Sequence, residues 1–245
     1  MSRPFQFQIH VVEHGNRRAR IGHIVFSDPA TRTSMRVATA MDLLCLLRQA
    51  ERECDALLFT AQGPVFCSGG NLRDHVQQGP IKGRAANRKI AGTLAALAGL
   101  SIPTVGLVEH DALGGGIELL SACDFVVTTP YVLLGFWQRR LGLSFGWGGG
   151  ARLEDRIGRS RLQRLALEAR AVSAQEAVEV GLVDQIVPSW SALADALALC
   201  LRLGLLPRES VSAMKKRTAK NERTVFEKLW FRKDHKAALA RFSSR

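Results

Sequence analysis

The sequence lacks most of the features by which a mechanism can be read directly. Its five cysteines (Cys45, Cys54, Cys67, Cys123 and Cys200) are scattered and odd in number, with no C-x-x-C pair. Neither a disulfide framework nor a zinc site is indicated. No residues have metal-ligand spacing, so no metal is expected, and no Ser–His–Asp order stands out. The opening stretch MSRPFQFQIHVVEHGNRRAR has no apolar run long enough for a signal peptide, and no later segment reaches membrane-spanning length. The expectation is a reduced, cytoplasmic protein with no membrane partner. Low-complexity segments and fixed-period repeats are missing too.

What is present is a chain of 245 residues, 47% hydrophobic, with ample material for a core. Its 34 Lys and Arg outweigh 22 Asp and Glu, giving a formal charge of +12. The surplus is uneven. From Arg208 onward twelve basic residues face only Glu209, Glu222, Glu227 and Asp234, so eight of the twelve net charges lie in the tail. Such a tail suits either a polyanionic ligand or a solvated helix face.

Residues 5–12 alternate apolar and polar and predict a strand, with 21–26 as its hairpin partner. Apolar spacing predicts helices over 35–53 and 83–100, and short buried strands over 55–61, 102–109 and 124–129. One more strand-like run, 181–187, interrupts helical segments, and everything from Trp190 reads helical with a break at Pro207. Strand–helix alternation followed by a basic helical end predicts an α/β core with a helical appendage.

Two glycine-rich loops stand out, PVFCSGGNLRDH (64–75) and DALGGGIELLSACDF (111–125). Each follows a strand, and the second opens a helix. Backbone N–H groups at such turns have no helical partner. Two of them aimed at one point form an oxyanion hole for a carbonyl that gains charge during reaction. Glycine suits the task because it accepts positive φ and keeps side chains away. Either loop alone is also what an ordinary tight turn looks like.

Taken together and in this order, the loops resemble the enoyl-CoA hydratase/isomerase (crotonase) superfamily. VFCSGGNL is similar to the family's first oxyanion loop and ALGGGIELLSACDF to its second. GLSFGWGGGARL, RAVSAQEAVEVGLVDQIV and the helical C-terminus fit the stretches that follow. The resemblance implies a spiral of ββα units over residues 1–189 and a helical trimerisation region over 190–245, assembled as trimers or hexamers. It implies an acyl-CoA thioester whose oxygen sits between the N–H groups of Gly70 and Gly115, with Glu118 one helical turn beyond. Coenzyme A enters as part of the substrate, and no bound cofactor is implied. Cys67, Ser68, Gly69, Asn71, Leu72, Arg73, Gly114 and Trp137 are the further positions expected at the thioester and nucleotide, with Arg73 near the phosphates.

The chain also departs from the family. Hydratases of this family use two glutamates, and alignment of the third glycine-rich stretch puts the second at Gln138, which cannot carry a proton in general acid–base work. An amide there could instead donate to the carboxylate of a malonyl-type thioester. Loss of CO2 would leave an enolate, and a Glu118 kept protonated by apolar neighbours would return a proton. GFWQRRLGLSFGWGGGARL is most similar to the branch containing ethylmalonyl-CoA decarboxylase. A family aspartate is replaced by Asn71, which can still cap a helix. His110 reads as a packed or surface residue, His75 as a residue able to approach the acyl pocket, and Cys67 as a small buried residue. Trp137 and Phe136 would line the acyl pocket or fill the core. Single-glutamate isomerisation or hydration, an acyl-carrier-protein substrate, and an inactive or RNA-binding homologue remain open. Nucleic acid is disfavoured because KKRTAKNER lacks interleaved aromatics.

Overall fold

The computed structural model describes residues 4–15, 17–215, 218, 220–230 and 232–243. The chain opens with an antiparallel hairpin, β1 (Phe5–His14) and β2 (Arg17–Phe26), in which Phe5 faces Phe26 and His14 faces Arg17. The second strand starts four residues before the predicted one, because pairing with β1 carries the polar Arg17–Arg20 stretch into the sheet. Helix α1 (Val37–Glu53) leads to β3 (Ala56–Ala61), α2 (Leu72–Ala98) to β4 (Thr104–Val108), and the short β5 (Ala112–Leu113) to α3 (Gly115–Leu120). Then follow β6 (Phe125–Thr128), β7 (Leu133–Gly135), α4 (Gly149–Ile157), α5 (Arg159–Glu168), β8 (Ala171–Ser173), α6 (Ala174–Glu179) and β9 (Gln185–Ile186). The chain closes with α7 (Ala192–Gly204), α8 (Arg208–Lys215), α9 (Glu222–Leu229) and α10 (Lys233–Ser243).

The main sheet has the order β1-β2-β3-β4-β6-β9, parallel from β2 onward. Its inner strands are buried on both faces, which is why 56–60 and 104–108 read as continuous apolar runs rather than alternating ones. Successive side chains point to opposite sides. Leu57 and Phe59 join a core with Leu43 and Leu47 of α1, Leu94 of α2 and Ile117 of α3. Leu58 and Val105 face the other way, onto Ala192, Ala196 and Cys200 of α7. The apolar core therefore continues past residue 190. A second sheet, β5-β7-β8, was not visible in the sequence because its strands are only two or three residues long.

Two further expectations change. The stretch 181–187 contributes only Gln185 and Ile186 as strand, because Gly181 (φ 83°) begins a turn that buries Leu182 and Val183. Residues before 83 are helical as well, starting at Leu72, and the helix bends at Gly79 (φ 67°, ψ −178°) ahead of Pro80, which cannot continue a regular helix.

The basic tail begins by holding on to the body. Arg208 donates to the carbonyls of Glu51 and Cys54 and to Ser101. Lys215 donates to the carbonyls of Leu100 and Ile102 and pairs with Asp124 at 2.7 Å. Arg223 pairs with Glu227 and Arg232 with Glu209. Lys216, Arg217 and Arg245 lie outside the described residues. Part of the charge that suggested a polyanion is thus used inside the fold.

A histidine is buried where β1, β2 and β3 adjoin. His23 Nδ1 accepts from Gln8 Nε2 at 3.0 Å and lies 3.2 Å from His10 Nε2, which leaves Nε2 as its proton-bearing nitrogen, 2.9 Å from Thr60 Oγ1. Burial first and His10 second push the His23 imidazole down to about 4. A group whose pKa is depressed by folding in this way binds protons more readily when unfolded, so its contribution is complete above about 6.5 and is lost as pH falls toward about 4. Thermal unfolding followed by circular dichroism between pH 7 and pH 4.5 should show a smaller acid-induced drop in Tm for His23→Gln than for the wild type.

Candidate active site

The two glycine-rich loops meet backbone to backbone. The first runs beside β5, with Phe66 N–H donating to Asp111 O at 2.8 Å and Leu113 N–H to Cys67 O at 2.9 Å. Its far end is tied to residue 35, Met35 N–H donating to Gly69 O at 2.7 Å and Asn71 N–H to Met35 O at 3.1 Å. Contact is so close that side chains are excluded. A Cβ on Gly69 would stand 2.9 Å from Gly115 N, and one on Gly116 would stand 2.3 Å from Cys67 O. Gly69 (φ 94°) and Gly114 (φ 54°) both occupy the left-handed side that glycine tolerates. Among the described residues, neither Gly70 N–H nor Gly115 N–H finds an acceptor. Those are the two donors that the family resemblance assigns.

Glu118 is 3% exposed, yet its carboxylate is well served. Oε2 accepts from the N–H of Trp147 at 2.8 Å and of Gly149 at 3.0 Å, and Oε1 accepts from Gly146 at 3.2 Å. The N-terminus of α4 points at it, as suits an anion. What meets the carboxylate is therefore a set of backbone N–H groups, not the apolar neighbours Ile117, Leu119 and Leu120. Gly149 makes this possible, since a Cβ there would fall 2.4 Å from Glu118 Cγ.

Arg152 locks this arrangement from behind. Its Nη2 donates to the carbonyls of Glu118 (3.2 Å) and Trp147 (3.0 Å), and Nε donates to Ser121 Oγ at 3.1 Å. Burial pulls its guanidinium below the ordinary value, and the Glu118 charge works against that pull. The Trp147 ring lies on Gly115, where a Cβ would come within 2.3 Å of it, and the indole N–H donates to Asn87 Oδ1 of α2 at 2.8 Å. Asn87, Trp147, Gly149 and Arg152 were not singled out from sequence. The signal available was a tryptophan set inside FGWGGG at the opening of a helix.

Gln138 opens a 3₁₀ turn, Gln138–Leu141, and its Nε2 donates to Gly114 O at 3.0 Å. One N–H of this amide is thus taken up by the second glycine loop, and the Oε1 left over is buried with no partner. Trp137 is half-buried beside Gly135, its indole N–H is buried and unpartnered, and the Arg140 guanidinium sits 4.7 Å from its ring centre. Phe136 is wholly buried and belongs to the core.

Other expected residues take supporting or outlying places. Asn71 caps α2, accepting from Asp74 N–H at 3.1 Å and donating to Ser34 Oγ at 3.0 Å. The Cys67 side chain is buried and its thiol is pushed up to about 12 by burial, so it offers no nucleophile. Ser68 is half-buried, its N–H donating to Arg32 O. Leu72 and Arg73 are exposed on the first turn of α2 and make no hydrogen bond or ion pair to the two loops. His110 is exposed, and the His75 side chain lies outside the described residues. An apolar cavity of about 280 Å³ lined by Pro207, Phe226, Leu229 and Trp230 shares no residue with the glycine loops.

A family model described as enoyl-CoA hydratase/isomerase matches residues 16–238. Ethylmalonyl-CoA decarboxylase of Danio rerio is 34% identical over 164 residues, 63% of this chain and 54% of that protein. The chain thus spans about half the length of that relative. A probable enoyl-CoA hydratase of Rhizobium meliloti (strain 1021) is 26% identical over 238 residues, 92% of each protein. The crystal structure of an enoyl-CoA hydratase from Bacillus anthracis superposes with a TM-score of 0.85, at 26% identity over 96% of both chains.

The loop contact leads to a simple test. Gly116→Ala drives a methyl into backbone that cannot yield, and urea unfolding should show a loss of about 1–3 kcal/mol. Gly146→Ala, where a Cβ would meet nothing within 4 Å, should stay within about 0.5 kcal/mol of wild type.

Proposed function

Because the chain belongs to the enoyl-CoA hydratase/isomerase family, we propose that this site binds an acyl-CoA thioester and removes CO2 from a malonyl-type acyl group. The observation that carries the reading is the single acid. Among the described residues, Glu118 is the one carboxylate that accepts from the N–H groups of residues 146–149, and by the family resemblance Gln138 takes the position of the second glutamate used in water addition.

In this reaction the thioester oxygen lies between Gly70 N–H and Gly115 N–H. The bond from the α-carbon to the carboxylate breaks, its electron pair passes into the thioester as an enolate, and CO2 leaves. The two N–H groups hold the charge on the oxygen. A proton from Glu118 then reaches the α-carbon, and solvent returns one to the carboxylate. Oε1 suits the transfer, since it has a single contact at 3.2 Å whereas Oε2 has two shorter ones. We assign the departing carboxylate to the unpartnered Trp137 indole N–H, one N–H of Gln138 Nε2 being held by Gly114 O.

Methylmalonyl-CoA, ethylmalonyl-CoA and crotonyl-CoA, assayed in parallel by mass spectrometry, separate loss of CO2 from gain of water. The expected result is CO2 loss that Glu118→Gln slows by at least about 100-fold, with Trp137→Phe raising KM by about tenfold. Hydration of crotonyl-CoA at a comparable rate would sink the decarboxylase reading in favour of a single-glutamate hydratase. Silence on all three would point to an acyl carrier protein or to an inactive homologue.

The same proposal includes assembly into trimers or hexamers. Phe226 and Trp230, 59% and 54% exposed, flank the apolar cavity of the C-terminal helices and give a second copy a surface to cover. Size-exclusion chromatography with light scattering should return three or six times the 26.8 kDa chain mass, and a monomer would rule this out.

A further inference from the structure

Gly114 and Gly115 share one peptide group. Its N–H is the second donor of the oxyanion hole, and its C=O is the acceptor for Gln138 Nε2 at 3.0 Å. In a trans peptide the C=O and N–H bonds point in opposite directions. The Gln138 side chain therefore holds the back of the peptide whose front faces the substrate. Because a carbonyl can only accept, the amide nitrogen must be the atom that faces it.

Gly114 O also accepts from Ile117 N–H at 3.1 Å, and Gln138 adds a second hold to the same peptide. It lies within three successive glycines, so no Cβ resists rotation about Gly114 ψ and Gly115 φ, and Gly114 sits at φ 54°, ψ −113°. The preceding peptide is already fixed, Gly114 N–H donating to Gly135 O at 2.8 Å. A hydrogen bond to the carbonyl also polarises the N–H on its far side.

We propose that Gln138 is a positioning residue, which orients and polarises the Gly114–Gly115 peptide so that its N–H meets the developing oxyanion. The inference rests on the thioester reading of the site but not on decarboxylation. It accounts for an amide at this position. A carboxylate would set an acceptor against the Gly114 carbonyl, and the peptide would turn or the side chain would leave. The buried, unpartnered Oε1 fits a side chain kept for one bond. The substrate is met by the peptide, not by Gln138.

Acetoacetyl-CoA tests this, because its enolate absorbs in the near ultraviolet and reports how strongly the hole favours an oxyanion whichever reaction the enzyme performs. The quantity measured is the bound enolate fraction in wild type, Gln138→Met and Gln138→Glu from pH 5 to pH 8.5, each variant divided by wild type at the same pH. That ratio removes titration of the probe and of Glu118, and the charges of Arg139 and Arg140 are common to all three proteins. Gln138→Met should favour the enolate about tenfold less at every pH, the loss of one hydrogen bond. Gln138→Glu should match that loss at pH 8.5 and recover toward wild type as the carboxyl gains a proton and can donate to Gly114 O again. A deficit in Gln138→Glu that does not change with pH, or no deficit in either variant, overturns the proposal. Near-ultraviolet circular dichroism shows whether each variant is folded, and Gln138→Glu decides the matter by itself if Gln138→Met is not. Wild type that binds no acetoacetyl-CoA would refute the thioester reading and this inference with it. Binding without a Gln138 effect would refute this inference alone.

Discussion

The structure depends on two backbone segments, 46 to 49 residues apart in the chain, lying closer together than any side chain permits. Gly69 abuts the nitrogen of Gly115, and Gly116 abuts the carbonyl of Cys67. From that contact the rest follows. The bond from Leu113 N–H to Cys67 O carries the first loop alongside β5. The start of α3 is thereby fixed, and Glu118 is placed one turn further along. The small β5-β7-β8 sheet then presents Gly135 and the Gln138 turn to the same junction.

The second constraint is a buried carboxyl group. Glu118 could not sit at 3% exposure without partners, and the N–H groups of Gly146, Trp147 and Gly149 supply them. The price is that the loop must wrap around the carboxylate, which demands glycine at 149 and leaves two carbonyls, those of Glu118 and Trp147, for Arg152 to hold. Arg152 is at once the counter-charge and the clamp. The acid and the loop that encloses it are a single structural unit.

Much of this was legible in the residues, for a physical reason. A backbone that must take positive φ or approach another backbone can be served only by glycine, so Gly69 and Gly114–Gly116 carry their geometry in their identity. The buried parallel strands and α1 were legible because continuous and helical apolar spacing are local signals. Contacts made by single side chains across the fold were not. Nothing near Asn87 announces Trp147, which is sixty positions away. Gln138 was read as a donor to substrate because its partner, a carbonyl in the other glycine loop, becomes its neighbour only once β5 and β7 pair. Strands of two residues, and a helix that continues through Gly79 and Pro80, defeat reading by pattern.

Helix α2 joins the two halves of the site. Asn71 caps it where the first glycine loop ends, and Asn87, four turns along, receives the Trp147 indole that lies on Gly115. The segment between them works as a gauge. One inserted or deleted residue would swing Asn87 by about 100° and shift it by about 1.5 Å, away from the indole. Residues 72–82 are largely exposed, and apart from the bend at Gly79 and Pro80 their identity matters less than their number. Among homologues that keep this tryptophan–asparagine bond, gaps should be absent from that stretch even where the side chains have diverged beyond recognition.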